Sequence, residues 1–180
     1  MDQRKQVASV TKTATLYTVI EVCKRYQMDP CQTRIKVCKL GSTISGTSAR
    51  LQEGDILTVE DLCYGLMLPS GNDAAFVLAK YFGKLLFEKK GYTEKDKTRI
   101  RSFEFDNHNT FVKYFLREMN ELAAGLGMKN THWDSPHGLN NKESLTTVTD
   151  MFKLCEKVKQ QPLHLEVNKT KVYRCNALVE

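Results

Sequence analysis

Apolar residues recur at Leu16, Val19, Ile20 and Cys23, the i, i+3, i+4, i+7 spacing of one helix face. The spacing predicts a helix over residues 10–26 that opens at Ser9, and Pro30 closes this element. Arg34-Ile35-Lys36-Val37-Cys38 alternates polar with apolar, which predicts a short strand, and the Gly- and Ser-rich residues 41–48 predict an extended loop. Thr58-Val59-Glu60-Asp61 sets a hydroxyl three residues ahead of a carboxylate, the pattern of a capped helix start, and Leu62, Gly65, Leu66 and Leu68 continue it to Pro69. From Asp73 the chain is apolar almost all round through Phe82, as in a helix buried within a domain. Ser70-Gly71-Asn72 is then a turn between two helices. Residues 83–109 break every periodicity and are rich in charge, so a long exposed loop is expected there. Val112, Phe115, Met119, Leu122, Ala123 and Leu126 form another stripe closed by Gly127, and Thr147-x-x-Asp150 caps a last helix carrying Met151, Leu154, Cys155 and Val158. Four to six helices dominate this reading.

Composition narrows the class. With 180 residues, one domain is expected. A 41% hydrophobic and 27% charged content is that of a globular protein. No apolar stretch approaches the roughly 18 residues of a transmembrane helix, and Met1-Asp2-Gln3-Arg4-Lys5 lacks an apolar signal core. The default expectation is therefore cytoplasmic, changing to secreted if an export signal precedes these residues. The net charge of +6 is mostly local, because residues 84–101 carry seven cations against three anions. That stretch mixes both signs without interleaved aromatics, which argues against nucleic acid as a partner. Oligomeric state is not legible.

Six cysteines show no C-x-x-C pair and no zinc spacing. Cys23, Cys63 and Cys155 fall on the apolar faces of the expected helices, where free cysteine behaves as a small hydrophobe. His132 and His137 stand in turn-like sequence without a carboxylate or cysteine at ligand spacing, so a structural or solvent role is expected and no metal site.

The chemistry lies elsewhere. Ser9-Val10-Thr11-Lys12 puts a hydroxyl and an amine on one face of a first helical turn. A serine made nucleophilic by a neighbouring amine needs that proximity, and needs the lysine to lose its charge through desolvation or a nearby cation. With eight serines in the chain and about one lysine in ten positions, roughly one such pair arises by chance. Ser70-Gly71-Asn72 adds a hydroxyl able to relay a proton and an amide able to hold a substrate carbonyl. The first motif opens a helix after an apolar lead-in and the second sits between two apolar helices some sixty residues on, a joint pattern much rarer than either motif alone.

Ala8-Ser9-Val10-Thr11-Lys12 resembles the first motif of the D-alanyl-D-alanine carboxypeptidase family of penicillin-binding, β-lactamase-like serine peptidases. Leu68-Pro69-Ser70-Gly71-Asn72-Asp73-Ala74-Ala75 resembles its second. The likeness continues through Leu51-x-x-Gly54-Asp55, Leu57-Thr58-Val59-x-Asp61-Leu62, Met119-Asn120, Leu126-Gly127-Met128, Pro136-His137-Gly138-Leu139 and Thr146-Thr147-x-Thr149-Asp150-Met151. It implies an α/β fold of the β-lactamase/transpeptidase-like kind, here mostly its helical part with few short strands, forming a single partial catalytic domain over residues 1–180 with a charged insert at about 84–109.

By that resemblance Ser9 is the acylated nucleophile, Lys12 its general base, Ser70 the proton relay to the leaving amine and Asn72 a ligand of the substrate backbone. The substrate is a peptide ending in D-Ala-D-Ala, β-lactams are inhibitors, and no cofactor is needed. The family's third motif, Lys-Thr-Gly or Lys-Ser-Gly on a sheet-edge strand, is not found in these residues, and Lys169-Thr170-Lys171 is no substitute. The chain is accordingly expected to be truncated before that motif. In the family that strand supplies a cation and one of two oxyanion donors, and loss of one donor typically costs about a hundred- to a thousandfold in rate. Two alternatives follow: a non-catalytic remnant or peptide-binding module, and a β-lactamase or esterase on the same scaffold.

Overall fold

A computed structural model describes residues 2–89, 107–139, 143–175 and 177–179. The helices are α1 (Thr11–Arg25), α2 (Lys39–Ser42), α3 (Val59–Met67), α4 (Asn72–Lys89), α5 (Asn107–Gly125), α6 (Val148–Val158) and α7 (Pro162–Lys169). Among the described residues five short strands accompany them: β1 (Lys5–Gln6), β2 (Arg34–Lys36), β3 (Asp55–Thr58), β4 (Leu145–Thr146) and β5 (Leu178–Val179). β1 pairs antiparallel with β4, and β2, β3 and β5 form an antiparallel sheet in that order. The result is α/β and mostly helical, as the sequence implies.

α1 is the hub, touching α3, α4, α5, α6 and α7. The single stripe read from the sequence understates it, because Leu16, Val19, Val22 and the polar Thr11, Thr15 and Thr18 are all buried. Two of those hydroxyls are satisfied internally, Thr18 donating to the Ala14 carbonyl at 2.8 Å and Thr11 to the Val7 carbonyl at 2.9 Å. Burial without that satisfaction would cost each hydroxyl about 1–3 kcal/mol.

Helix starts follow local chemistry. Thr58 and Asp61 form a reciprocal capping box at α3, with Thr58 Oγ1 accepting from the Asp61 N–H at 3.0 Å and Asp61 Oδ2 accepting from the Thr58 N–H at 2.9 Å. Thr147 caps α6 by accepting from the Asp150 N–H at 3.2 Å. Beyond α7, Tyr173 stacks on Tyr64 of α3 with ring centroids 3.6 Å apart, and its hydroxyl donates to Asp61 Oδ1 at 2.7 Å. The C-terminal segment is thus fastened to the same helix whose start Asp61 caps.

Three expectations are corrected. Residues 83–109 are not one loop: α4 runs on to Lys89 with Leu86 buried, and α5 begins at Asn107. Residues 90–106, which hold most of the charged insert, lie outside the described residues. Gly83, the first residue of the expected loop, lies inside α4, and α4 and α5 meet there backbone to backbone. A Cβ on it would lie 1.9 Å from the Phe111 carbonyl oxygen. Residues 41–48 are not wholly extended, since α2 takes residues 39–42. Cys155 is exposed, unlike the buried Cys23 and Cys63, because α6 turns Leu154 and Val158 inward and Cys155 away. All six cysteines are free.

The close approach at Gly83 makes a prediction. Gly83→Ala should destabilise the fold by at least about 2 kcal/mol, since the obstacle is backbone and gives only by separating two helices. In a thermal melt this is a loss of roughly 4–8 °C. Gly125→Ala, with nothing within 4 Å of its new Cβ, should leave the midpoint nearly unchanged, and equal losses in the two variants would refute the packing account.

Candidate active site

The chain enters α1 through a tight turn. The N–H groups of Thr11, Lys12 and Thr13 donate to the carbonyls of Ala8, Ser9 and Val10 at 3.1, 3.0 and 3.1 Å. α1 itself begins at Thr11, one residue later than the predicted helix over 10–26, and has no side-chain cap. Ser9 and Lys12 are nevertheless held on one face by this i to i+3 geometry, and Lys12 Nζ donates to Ser9 Oγ at 3.2 Å. Ser9 is exposed while Lys12 is only 2% exposed, so a buried amine reaches a hydroxyl at the surface.

A second element meets Lys12 from the far side. The Asn120 side chain grips the backbone of Trp133 twice, accepting from its N–H and donating to its carbonyl, both at 2.8 Å. The residues that follow then turn back onto α1. Thr15 donates to the Pro136 carbonyl at 2.6 Å, and Lys12 Nζ donates to the His137 carbonyl at 3.0 Å. His137 therefore serves the site through its backbone, while its imidazole Nδ1 accepts from the Leu139 N–H at 3.1 Å. Burial, and then the nearby Lys12, push the His137 imidazole down to about 4, so at neutral pH it brings no positive charge to the site.

Burial also pulls the Lys12 ammonium down from 10.5 to about 8, with the Asp73 carboxylate opposing the shift. At pH 7 roughly one Lys12 in ten is then neutral, about three-hundredfold more than at its ordinary value. The arrangement gives an amine that can take a proton from Ser9.

Ser70 and Asn72 come from the turn between α3 and α4. Ser70 has φ +55, a left-handed conformation uncommon for a residue with a side chain. The turn is held by the loop 45–51: Thr47 Oγ1 donates to the Ser70 carbonyl at 2.5 Å, the Asn72 N–H donates to the Thr47 carbonyl at 2.7 Å, and Asn72 Nδ2 donates to the Ser45 carbonyl at 2.9 Å. Asn72 is buried and Ser70 half-buried. Among the described residues, the second N–H and the oxygen of the Asn72 side-chain amide have no hydrogen-bond partner.

The structure thus brings Ser9 to Lys12, and Ser70 to Asn72. Among the described residues no hydrogen bond joins one pair to the other. Asp73, next to Asn72, carries the charge that opposes the lowering of the Lys12 pKa. Asp73, Thr47 and the His137 carbonyl were not singled out from sequence. A carboxylate in the first turn of α4, directly after Ser-Gly-Asn, was the available signal for the first of them. Among the described residues, no three of His, Cys, Asp or Glu group as a metal site would, and no helix is long and apolar enough to cross a membrane.

Comparison with known proteins identifies the family and the fold. The profile of the D-alanyl-D-alanine carboxypeptidase family matches residues 1–85 and 107–178. A D-alanyl-D-alanine carboxypeptidase of Streptomyces sp. (strain K15) is 33% identical over 134 residues, covering 74% of this chain and 39% of that one. D-alanyl-D-alanine carboxypeptidase DacD of Escherichia coli is 29% identical, covering 77% of this chain and 30% of that one. Among solved structures, the Streptomyces K15 DD-transpeptidase superposes with a TM-score of 0.79 at 30% identity, over 99% of this chain and 60% of that one. DacD from Francisella tularensis gives 0.72 at 29% identity, over 93% and 34%. The chain spans about two fifths of the Streptomyces carboxypeptidase's length.

Proposed function

The chain belongs to the D-alanyl-D-alanine carboxypeptidase family and shares the fold of its DD-peptidase and transpeptidase neighbours, and from that premise we propose that it carries the serine acyl-transfer site of a D-Ala-D-Ala carboxypeptidase-like hydrolase. The observation that carries the reading is the 3.2 Å hydrogen bond between Lys12 Nζ and Ser9 Oγ, made by a buried lysine whose proton affinity is lowered toward neutrality.

Neutral Lys12 takes the Ser9 proton as Oγ attacks the carbonyl carbon of the penultimate residue of a peptide ending in D-Ala-D-Ala. The backbone N–H of Ser9, without a protein acceptor among the described residues, is available to the oxyanion. Collapse of the tetrahedral intermediate breaks the C–N bond, and Ser70 relays a proton to the leaving amine of D-alanine. Asn72 orients the substrate backbone through its remaining amide N–H and oxygen. Water, deprotonated by Lys12, then hydrolyses the Ser9 ester.

A β-lactam presents a reactive amide to the same site. Incubating the folded chain with a reporter penicillin should add the mass of one penicillin, and peptide mapping should place it on Ser9. No adduct on a chain shown to be folded would instead support a non-catalytic, peptide-binding scaffold. An adduct that turns over within seconds would point to a β-lactamase on this scaffold.

A further inference from the structure

The Asp73 carboxylate is 1% exposed and accepts four hydrogen bonds. Oδ1 takes the N–H groups of Ala49 and Ala74 at 2.9 and 2.8 Å, and Oδ2 takes the Ser48 hydroxyl at 2.7 Å and the Leu51 N–H at 3.2 Å. Three of the four donors lie in the loop 45–51, the same loop whose Ser45 and Thr47 grip Ser70 and Asn72. Gly71 fits this clamp by having no side chain. A Cβ there would lie 2.6 Å from Asp73 Oδ1, 2.5 Å from the Gly65 carbonyl oxygen and 3.0 Å from the Ala49 nitrogen. Arg50, at φ +61, and Ser70, at φ +55, hold left-handed conformations on either side of it, strain that persists only where the surroundings over-determine it.

We propose that Asp73 is a positioning residue of the acyl-transfer site: its carboxylate ties the loop 45–51 to the first turn of α4, so that the loop fixes the Ser70-Gly71-Asn72 turn. The proposal rests on the functional reading above for its meaning, but not for its test. Lys12 is influenced by Asp73 from α4 and by His137 from the turn 136–138, and the latter is neutral at working pH. Asp73 is thus the charged neighbour that keeps the proton on Lys12 against burial.

The clamp and the charge separate by mutation. Ser48→Ala removes one clamp bond and leaves the charge, so the amides of Ala49, Leu51 and Asn72 should exchange with solvent several-fold faster while Lys12 titrates as before. Asp73→Asn keeps the shape and removes the charge. In lysine-labelled protein followed by NMR, its Lys12 signal, assigned with Lys12→Arg, should titrate about one pH unit lower than in the wild type. The pH limb of acylation by the reporter penicillin should move with it. Unchanged amide exchange in Ser48→Ala overturns the clamp, and an unchanged Lys12 titration in Asp73→Asn overturns the electrostatic part. Should Asp73→Asn fail to fold, Asp73→Glu takes its place. It retains the charge on a longer arm, so the Lys12 titration should hold while the loop amides exchange faster, and protected amides with a shifted lysine would count against the proposal. A wild type that takes no penicillin but shows these NMR responses sinks the hydrolase reading alone. A wild type that acylates, with an Asp73→Asn variant slowed equally at every pH and Lys12 unmoved, sinks this proposal alone.

Discussion

Lys12→Ala should slow acylation by a reporter penicillin roughly a hundred- to ten-thousandfold, and Ser9→Ala should abolish the adduct. The range for Lys12 is that of a positioned general base, and this base makes a direct 3.2 Å bond to the hydroxyl it would deprotonate. Lys12→Arg sharpens the test, because arginine keeps the charge and much of the reach but stays protonated. If Lys12 served only as a cation, the arginine variant would retain most of the rate. As a base it should be nearly as slow as the alanine variant. The wild-type rate supplies the third check. With Lys12 held at about 8, the neutral fraction, and with it the rate, should rise about tenfold per pH unit up to pH 7 and level off beyond 8. A flat profile, or an arginine variant close to wild type, would remove Lys12 from the role. The same shift bears on stability with a definite sign: between pH 8 and 10.5 the unfolded chain holds more of this proton than the folded one. The Lys12 contribution therefore becomes less destabilising as pH rises through that window.

Much of this was legible because local chemistry decided it. The hydroxyl and carboxylate of Thr58 and Asp61 cap α3 whatever surrounds them, and Ser9 and Lys12, three residues apart, are neighbours in any helical turn. The Ser-Gly-Asn turn between two apolar helices is likewise where the pattern puts it. What escaped was set by tertiary contact. Gly83 is a poor helix former by propensity, yet it lies inside α4, where its missing side chain makes room for the carbonyl of Phe111. β1 and β4 pair two residues each across 140 positions of sequence, too short for any alternation to register. Lys12 looks like any surface lysine until the turn at Pro136 and His137 closes over it.

That closure depends on Gly138, and Gly138→Ala should damage both fold and chemistry. Two costs combine there. Gly138 has φ +77, and a Cβ on it would lie 2.0 Å from the Ala8 carbonyl oxygen and 2.9 Å from Thr11 Oγ1. The first cost is conformational, about 1 kcal/mol for a left-handed residue. The second is backbone against backbone, which relaxes only if the turn lifts from the start of α1. Lifting it by an ångström stretches the bonds from Lys12 to the His137 carbonyl and from Thr15 to the Pro136 carbonyl. A displacement of that size near reacting groups costs about a hundredfold in rate. Gly127→Ala isolates the first cost, since Gly127 has φ +70 but open space around its would-be Cβ. We expect Gly127→Ala to lose about 1 kcal/mol and keep its acylation rate. Gly138→Ala should lose at least about 3 kcal/mol and acylate about a hundredfold more slowly. Equal melting points and equal rates in the two variants would mean that the turn tolerates displacement. The hydrogen bond from Lys12 to the His137 carbonyl would then not be what holds the amine against Ser9.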